Sequence, residues 1–174
     1  MEQTKKERVL FSRDEIAERI KEMGIEISNY YKNDEIVVIS LLRGSFIFAA
    51  DIVREIKSPV EVDFMTTASY GDAEESSGKV DIIQDIRANI KDRDVLIVDD
   101  IIDTGNTLLK VIEHLQNKSP RSIKICVMLD KPSRRKVDLQ PDFAGFVIPD
   151  VFIVGYGLNY GNYYRNIPYI FTFE

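Results

Sequence analysis

The stretch VLIVDDIIDTGNTL, residues 95–108, decides how the rest of the chain reads. VLIV (95–98) is short and apolar enough to be a strand buried on both faces, and TLLKVIEHLQ (107–116) has the period of a helix. Between them Asp99, Asp100 and Asp103 crowd three carboxylates around a strand tip. Like charges that close repel, so the cluster costs stability unless a cation, hydroxyl donors or open water offset it.

Outward from this strand, turn and helix, the same alternation repeats. Ser12 and Glu15 have capping-box spacing, and Ile16, Ile20, Met23 and Ile27 follow at helical period, which predicts a helix from 13 to about 31. EIVVIS (35–40) reads as a strand, RGS as a turn and FIFAADIVREI (46–56) as a helix with Ser45 as its cap. VEVDFM (60–65) and SIKICVML (122–129) read as further strands. Strands alternating with helices predict an α/β fold with a mainly parallel, twisted sheet, and ligands in such sheets gather at the carboxyl ends of the strands.

Two segments break the pattern. TTASYGDAEESSGKV (66–80) is polar, contains glycine and is longer than most connections, so a mobile loop or lid is expected there. From residue 142 onward the chain is aromatic and β-rich with Pro and Gly punctuation, which predicts a small antiparallel hood, with the N-terminus as a possible contributor. No linker or repeat divides the 174 residues, so a single domain with a core over about 35–140 is expected.

With 44% hydrophobic and 30% charged residues the composition is that of a folded globular protein. A net charge of −6 argues against a general grip on nucleic acid, which needs clustered Lys and Arg. Cys126 is the only cysteine, in IKICVML, and reads as a buried strand residue; it excludes an intrachain disulfide or a cysteine metal site. The N-terminus lacks a signal-peptide pattern and no apolar run approaches the roughly 18 residues of a membrane span, so a cytoplasmic protein with no membrane partner is expected.

At the motif itself, Thr104, Gly105 and Thr107 fall at the start of a helix, where free backbone N–H groups and the helix dipole seat a phosphate monoester. The carboxylates of Asp99 and Asp100 suit vicinal sugar hydroxyls. The loop therefore has what a sugar phosphate needs at both its ends. The plain alternative is that Asp103 or Thr104 caps the helix and the acidic pair is solvated. Neither G-x-x-x-x-G-K-[ST] nor G-x-G-x-x-G occurs, which weakens nucleoside triphosphate and dinucleotide readings.

VLIVDDIIDTGNTL resembles the phosphoribosyl pyrophosphate (PRPP) loop of the type I phosphoribosyltransferases. LLRGS (41–45), SYG (69–71), DKPSRRK (130–136) and GFVIPDVFIVGYGLNYGNYYRNIPYI (145–170) resemble, in order and spacing, the hypoxanthine-guanine branch of that family. The resemblance implies the type I fold and transfer of phosphoribose from PRPP to N9 of hypoxanthine or guanine, with Mg²⁺, giving IMP or GMP and pyrophosphate. By motif, Asp99 and Asp100 would hold the ribose hydroxyls, Asp103 would act as general acid/base near purine N7, and Asp103, Thr104, Gly105, Asn106 and Thr107 would seat the 5′-phosphate. Arg43 and Gly44 would meet pyrophosphate through a backbone bend often held as a non-proline cis peptide, and Arg165 would meet the same group.

Lys131 would donate to purine O6, Phe152 would stack on the base, and the backbone around Val151 and Leu158 would complete the pocket. Ser69 and Tyr70 would close over the site and exclude water. Without the resemblance, Lys131 reads as solvated and Phe152 as core. Asp99, Asp100 and Asn159 would serve the metal, but many family members have Asp at 159, so the second Mg²⁺ is expected to be weaker. Asp99 stands where many have Glu, and Val151 where many have Lys, which bears on the preference among hypoxanthine, guanine and xanthine. A homo-oligomer, dimer or tetramer, is also implied. Two other functions share the fold: a nucleotide-binding regulator of RNA or protein, disfavoured by the acidity, and a sister transferase for adenine or orotate, disfavoured by Lys131.

Overall fold

The computed structural model describes residues 5–69 and 80–174. Chain order is β1 (Glu7–Phe11), α1 (Arg13–Tyr31), β2 (Ile36–Leu42), α2 (Phe46–Glu55), β3 (Val60–Ser69), β4 (Val80–Gln84), β5 (Asp94–Ile102), α3 (Asn106–Gln116), β6 (Ser122–Asp130), β7 (Phe143–Val147) and β8 (Ile170–Phe173). Six strands form one sheet in the order β4-β3-β2-β5-β6-β7, parallel except for β4 against β3, while β1 and β8 form a separate antiparallel pair.

The apolar sequences of the central strands fill both faces of the sheet. Val38, Leu96, Val98, Cys126 and Met128 point to the side covered by Ile16, Ile20, Met23 and Ile27 of α1 and Phe48 and Ile52 of α2. Their neighbours Val37, Ile39, Val95, Ile97, Ile125 and Val127 point to the other side, under Leu108, Val111 and Leu115 of α3. The period of two in the strands thus divides one apolar run between two cores, each buried side chain contributing roughly 1.5–3 kcal/mol. Cys126 is fully buried, as its sequence setting predicts, and burial pushes its thiol well above the ordinary range. Ser12 caps α1 through a complete capping box with Glu15.

Three expectations change. Ser45 does not cap α2 with its side chain: the hydroxyl turns inward, 2.5 Å from the Leu41 carbonyl oxygen and 2.7 Å from Ser40 Oγ. Residues 66–69 and Val80 are strand, because β3 continues in pairing with β4 to Ser69↔Val80; residues 70–79 of the expected lid, Tyr70 among them, lie outside the described residues. Residues 143–147 are not part of an antiparallel hood but the sixth strand of the main sheet, parallel to β6. No described helix is long and apolar enough to cross a membrane.

Candidate active site

The site begins where two strands part. β2 pairs with β5 only from Ile36↔Asp94 to Ser40↔Val98. Beyond that point β2 follows β3 as far as Leu42↔Thr66, and β5 follows β6 as far as Ile102↔Asp130. The successive strands run outward in opposite directions from this junction, which makes it the topological switch point of the sheet. A crevice of about 280 Å³ opens there between Leu41, Leu42, Arg43 and Gly44 on one wall and residues 99–105, Thr107 and Leu108 on the other. A larger hollow, about 400 Å³, opens between α1, α2 and residues 165–168, and shares only Arg165 with the candidate site residues of the sequence.

Backbone approach on the first wall is close. The Leu42–Arg43 peptide is cis. A Cβ on Gly44 would stand 1.9 Å from Asp100 Oδ2 and would displace that carboxylate, and one on Gly157 would stand 2.2 Å from the Gly44 carbonyl oxygen, so no side chain fits at position 157. Arg165 donates from Nη1 to the Gly157 carbonyl oxygen at 2.7 Å and so stands beside the same bend. Arg43 is exposed and makes no ion pair among the described residues.

On the second wall, Asp99 Oδ1 accepts from the Asp100 amide at 2.9 Å and Asp100 Oδ1 from the Ile101 amide at 2.8 Å. Both residues are half-buried. Burial, and then the charge of Asp100, hold the Asp99 carboxyl well above the usual carboxylate range. Burial raises Asp100 as well, against the opposing pull of the hydrogen bond from Asp99, the Ile101 amide and the Arg165 charge.

Gly105, at φ +85°, precedes the first residue of α3, and no side chain caps that helix. Thr104 Oγ1 accepts from the Asn106 amide at 3.3 Å and the Gly105 carbonyl from the Leu109 amide at 2.9 Å. Of the plain capping reading only this long Thr104 contact to the first helical amide remains; Asp103 caps nothing, and the next amides of the helix entrance have no side-chain partner. Asp103 Oδ1 lies 3.1 Å from Arg134 Nε, an ion pair by distance but not an aligned hydrogen bond, since this oxygen is buried with no hydrogen-bond partner. Arg134 also reaches Asp150 Oδ2 at 3.7 Å.

Next to this wall Lys131, 7% exposed, donates from Nζ to the Val151 carbonyl oxygen at 3.0 Å and stands 3.7 Å from Asp150 Oδ1. Lys131 is therefore not the solvated lysine that its sequence alone suggests. Phe152 is likewise not core: it is 58% exposed, edge-on to Tyr160 with ring centroids 5.8 Å apart. Leu158 is partly buried, and its backbone bonds reciprocally with Gly155 at 3.0 Å. Asn159 is exposed and donates from Nδ2 to the Gly161 carbonyl oxygen at 2.7 Å.

A family profile described as "Phosphoribosyl transferase domain" matches residues 11–161. The chain belongs to the phosphoribosyltransferase family. Within this family it is 51% identical over 164 residues to the hypoxanthine phosphoribosyltransferase of Salmonella typhimurium, covering 93% of this chain and 92% of that one. It is 46% identical over 164 residues to the hypoxanthine-guanine phosphoribosyltransferase of Bacillus subtilis, covering 94% and 91%. A crystal structure of a hypoxanthine-guanine phosphoribosyltransferase from Bacillus anthracis superposes with a TM-score of 0.91 at 45% identity, covering 95% and 97%. The fold of this phosphoribosyltransferase is the type I fold.

The crevice brings together Arg43, Gly44, Asp99, Asp100, Asp103, Thr104, Gly105 and Thr107. Asn106, grouped with them from the sequence, does not line it. Lys131, Val151 and Phe152 belong to the adjoining wall, and Tyr70 lies outside the described residues. Sequence reasoning passed over Arg134, Arg135, Asp130, Asp150 and Gly157. The signal for the arginines was present: two adjacent cations, close after a strand end, in an acidic chain.

Proposed function

We propose that this protein transfers the 5-phosphoribosyl group from PRPP to N9 of hypoxanthine or guanine, giving IMP or GMP and pyrophosphate, as a step of purine salvage. The observation that carries this reading is the split between β2 and β5, around which lie an acidic pair, a helix entrance without an N-cap side-chain bond and Arg43, with Arg165 beside the Gly44 bend and a buried lysine alongside. Asp99 and Asp100 would accept hydrogen bonds from the ribose hydroxyls, and residues 103–107 would hold the 5′-phosphate through backbone N–H groups. Arg43, the Gly44 backbone and Arg165 would receive the pyrophosphate.

The donor set around the pair fits Mg²⁺ delivered with its substrate. Among the described residues no three His, Cys, Asp or Glu converge as a metal cage, and Mg²⁺ favours one or two carboxylates completed by substrate phosphates and water. Asp99 and Asp100 would hold it on one side, with the Asn159 oxygen as a weaker contributor. When bound, the ion neutralises charge growing on the departing pyrophosphate.

Displacement at the anomeric carbon develops positive charge on the ribose, as in glycoside hydrolysis. The carboxylates under the sugar stabilise that charge while the arginines take up the negative charge of the leaving group. Asp103 would exchange a proton with the imidazole edge of the purine. Lys131, once it releases the Val151 carbonyl, would donate to purine O6; a 6-amino group would oppose donor to donor and leave the lysine unpaired, which disfavours adenine. Phe152, already exposed and edge-packed on Tyr160, is free to cover the base.

The test is an assay of each of hypoxanthine, guanine, xanthine and adenine with PRPP and Mg²⁺. Hypoxanthine and guanine should be converted and adenine should not. Conversion of adenine alone would move the protein to a sister transferase, and nucleotide binding without turnover would move it to a regulator.

A further inference from the structure

Three consecutive carbonyls of the phosphate loop are tied to one segment behind it. The Lys131 amide donates to the Ile102 carbonyl oxygen at 3.0 Å, Arg135 Nε to that of Asp103 at 3.1 Å, and the Lys136 amide to that of Thr104 at 2.9 Å. These peptides are trans, and a trans peptide carries its N–H opposite its C=O. With the carbonyls of 102, 103 and 104 drawn back, the N–H groups of Asp103, Thr104 and Gly105 face away from the tying segment. Successive N–H groups turned to one side form an anion-binding concavity.

Two of these ties are backbone to backbone and survive any side-chain change. The middle one depends on Arg135. Its side chain is only 7% exposed and is held by Asp130, itself 10% exposed, with further donation to the Leu139 carbonyl and to Gln140 Oε1 at 3.3 Å. A Cβ on Gly105 would come within 3.1 Å of Arg135 Cδ, so the guanidinium stem forms the floor on which the loop rests.

We infer that Arg135 is a positioning residue for the phosphate seat: anchored by Asp130, it holds the Asp103 carbonyl back and so sets the loop amides for the 5′-phosphate without touching the substrate. This rests on the reading that residues 103–107 hold that phosphate. Asp130 precedes Lys131 in the chain, so the same anchor ties the phosphate end of the site to its purine end.

The obvious variant, Arg135→Ala, leaves Asp130 buried and uncompensated and tests folding as much as the loop. Arg135→Lys keeps a cation beside Asp130 but gives up the fork that reaches Asp103 at the same time. Loss of one hydrogen bond of this kind should weaken IMP binding, and raise the KM for PRPP, by about five- to tenfold. Pyrophosphate binding should stay near the parent value, because it does not depend on the 5′-phosphate amides. Parent-like IMP affinity in the Lys variant overturns the inference, as does an equal loss for IMP and pyrophosphate. If the parent protein itself binds IMP no better than inosine, the placement of the 5′-phosphate fails, and the role of Arg135 with it.

Discussion

Gly105→Ala isolates the contact between the phosphate loop and the segment behind it. Gly105 has φ +85°, and an added Cβ would stand 2.7 Å from Val137 Cγ2 and 3.1 Å from Arg135 Cδ. Two costs follow. A Cβ at positive φ costs about 1–2 kcal/mol, and forcing a methyl into an occupied space costs about 1–3 kcal/mol more. For a chain of this length each kcal/mol corresponds to about 2–4 °C of Tm, so the variant should unfold roughly 4–20 °C lower in the absence of ligand. Val137→Ala removes the methyl being struck while leaving φ unchanged. The double variant should therefore be more stable than the sum of the single changes predicts, by about 1–3 kcal/mol, and keep the backbone cost together with the milder contact to Arg135 Cδ. Thermal unfolding of the four proteins, repeated with saturating IMP, measures both parts. The shifted amides should also reduce the IMP-induced rise in Tm. Strict additivity between positions 105 and 137, or a Gly105→Ala protein with parent Tm and IMP response, would refute the packing of this loop against residues 135–137.

Other changes separate the remaining roles. Asp103→Asn should lower kcat by about 10²–10⁴-fold with a much smaller change in IMP affinity; unchanged turnover removes the acid/base role. Lys131→Ala should reduce the preference for hypoxanthine over adenine, measured as the ratio of kcat/KM values, to within about tenfold; a variant that rejects adenine as well as the parent places selectivity elsewhere. Asp99 has a folded-state pKa raised by burial and by Asp100, so its contribution to stability is complete below the ordinary carboxylate pKa and is lost as pH rises through the raised value. Asp99→Asn should accordingly be more stable than the parent at pH 8 without ligand, the difference shrinking toward pH 4, while IMP and Mg²⁺ binding weaken. A stability difference that does not vary with pH would show that the pair does not carry this strain.

How much of this was legible depends on whether the information was local. The alternation of VLIV with TLLKVIEHLQ, and of EIVVIS with FIFAADIVREI, needs only period and punctuation, and the structure follows it. Ser45 misled because a hydroxyl before a helix has two uses, and the choice here was made by Ser40 and Leu41 on the preceding strand. The role of FAGFV was hidden for a similar reason: an edge strand added in parallel to β6 has the same local pattern as one in a hairpin. Lys131 and Phe152 reversed their expected burial, lysine inside and phenylalanine out. That reversal comes from the Val151 carbonyl and the edge of Tyr160, contacts that period cannot anticipate. Arg135 was invisible as an anchor because its partners, Asp130 and the Asp103 carbonyl, become neighbours only when β5 and β6 pair.

The acidity of the chain poses a problem for a protein reading as a polyanion binder, and the helices answer it. α1, remote from the crevice, carries Asp14 and Glu15 in its first turn and a side-chain cap on Ser12, the usual way to neutralise a positive helix end. α2 and α3, which start at the two walls of the crevice, have no acidic residue in the first turn and no side-chain cap. Because β2 and β5 part at Ser40↔Val98, and because α2 covers one face of the sheet while α3 covers the other, both uncompensated ends fall at the same split from opposite sides. An anion with a charged group at each end, bridging the split, meets a positive dipole at both. In the proposed reading the carboxylates of Asp99 and Asp100 would fall under the neutral middle of such a ligand, where hydroxyls need acceptors and where positive charge would develop. A net charge of −6 is thus compatible with the proposed affinity for a sugar phosphate diphosphate, since two helix dipoles would meet the ends of the ligand and the paired carboxylates its centre.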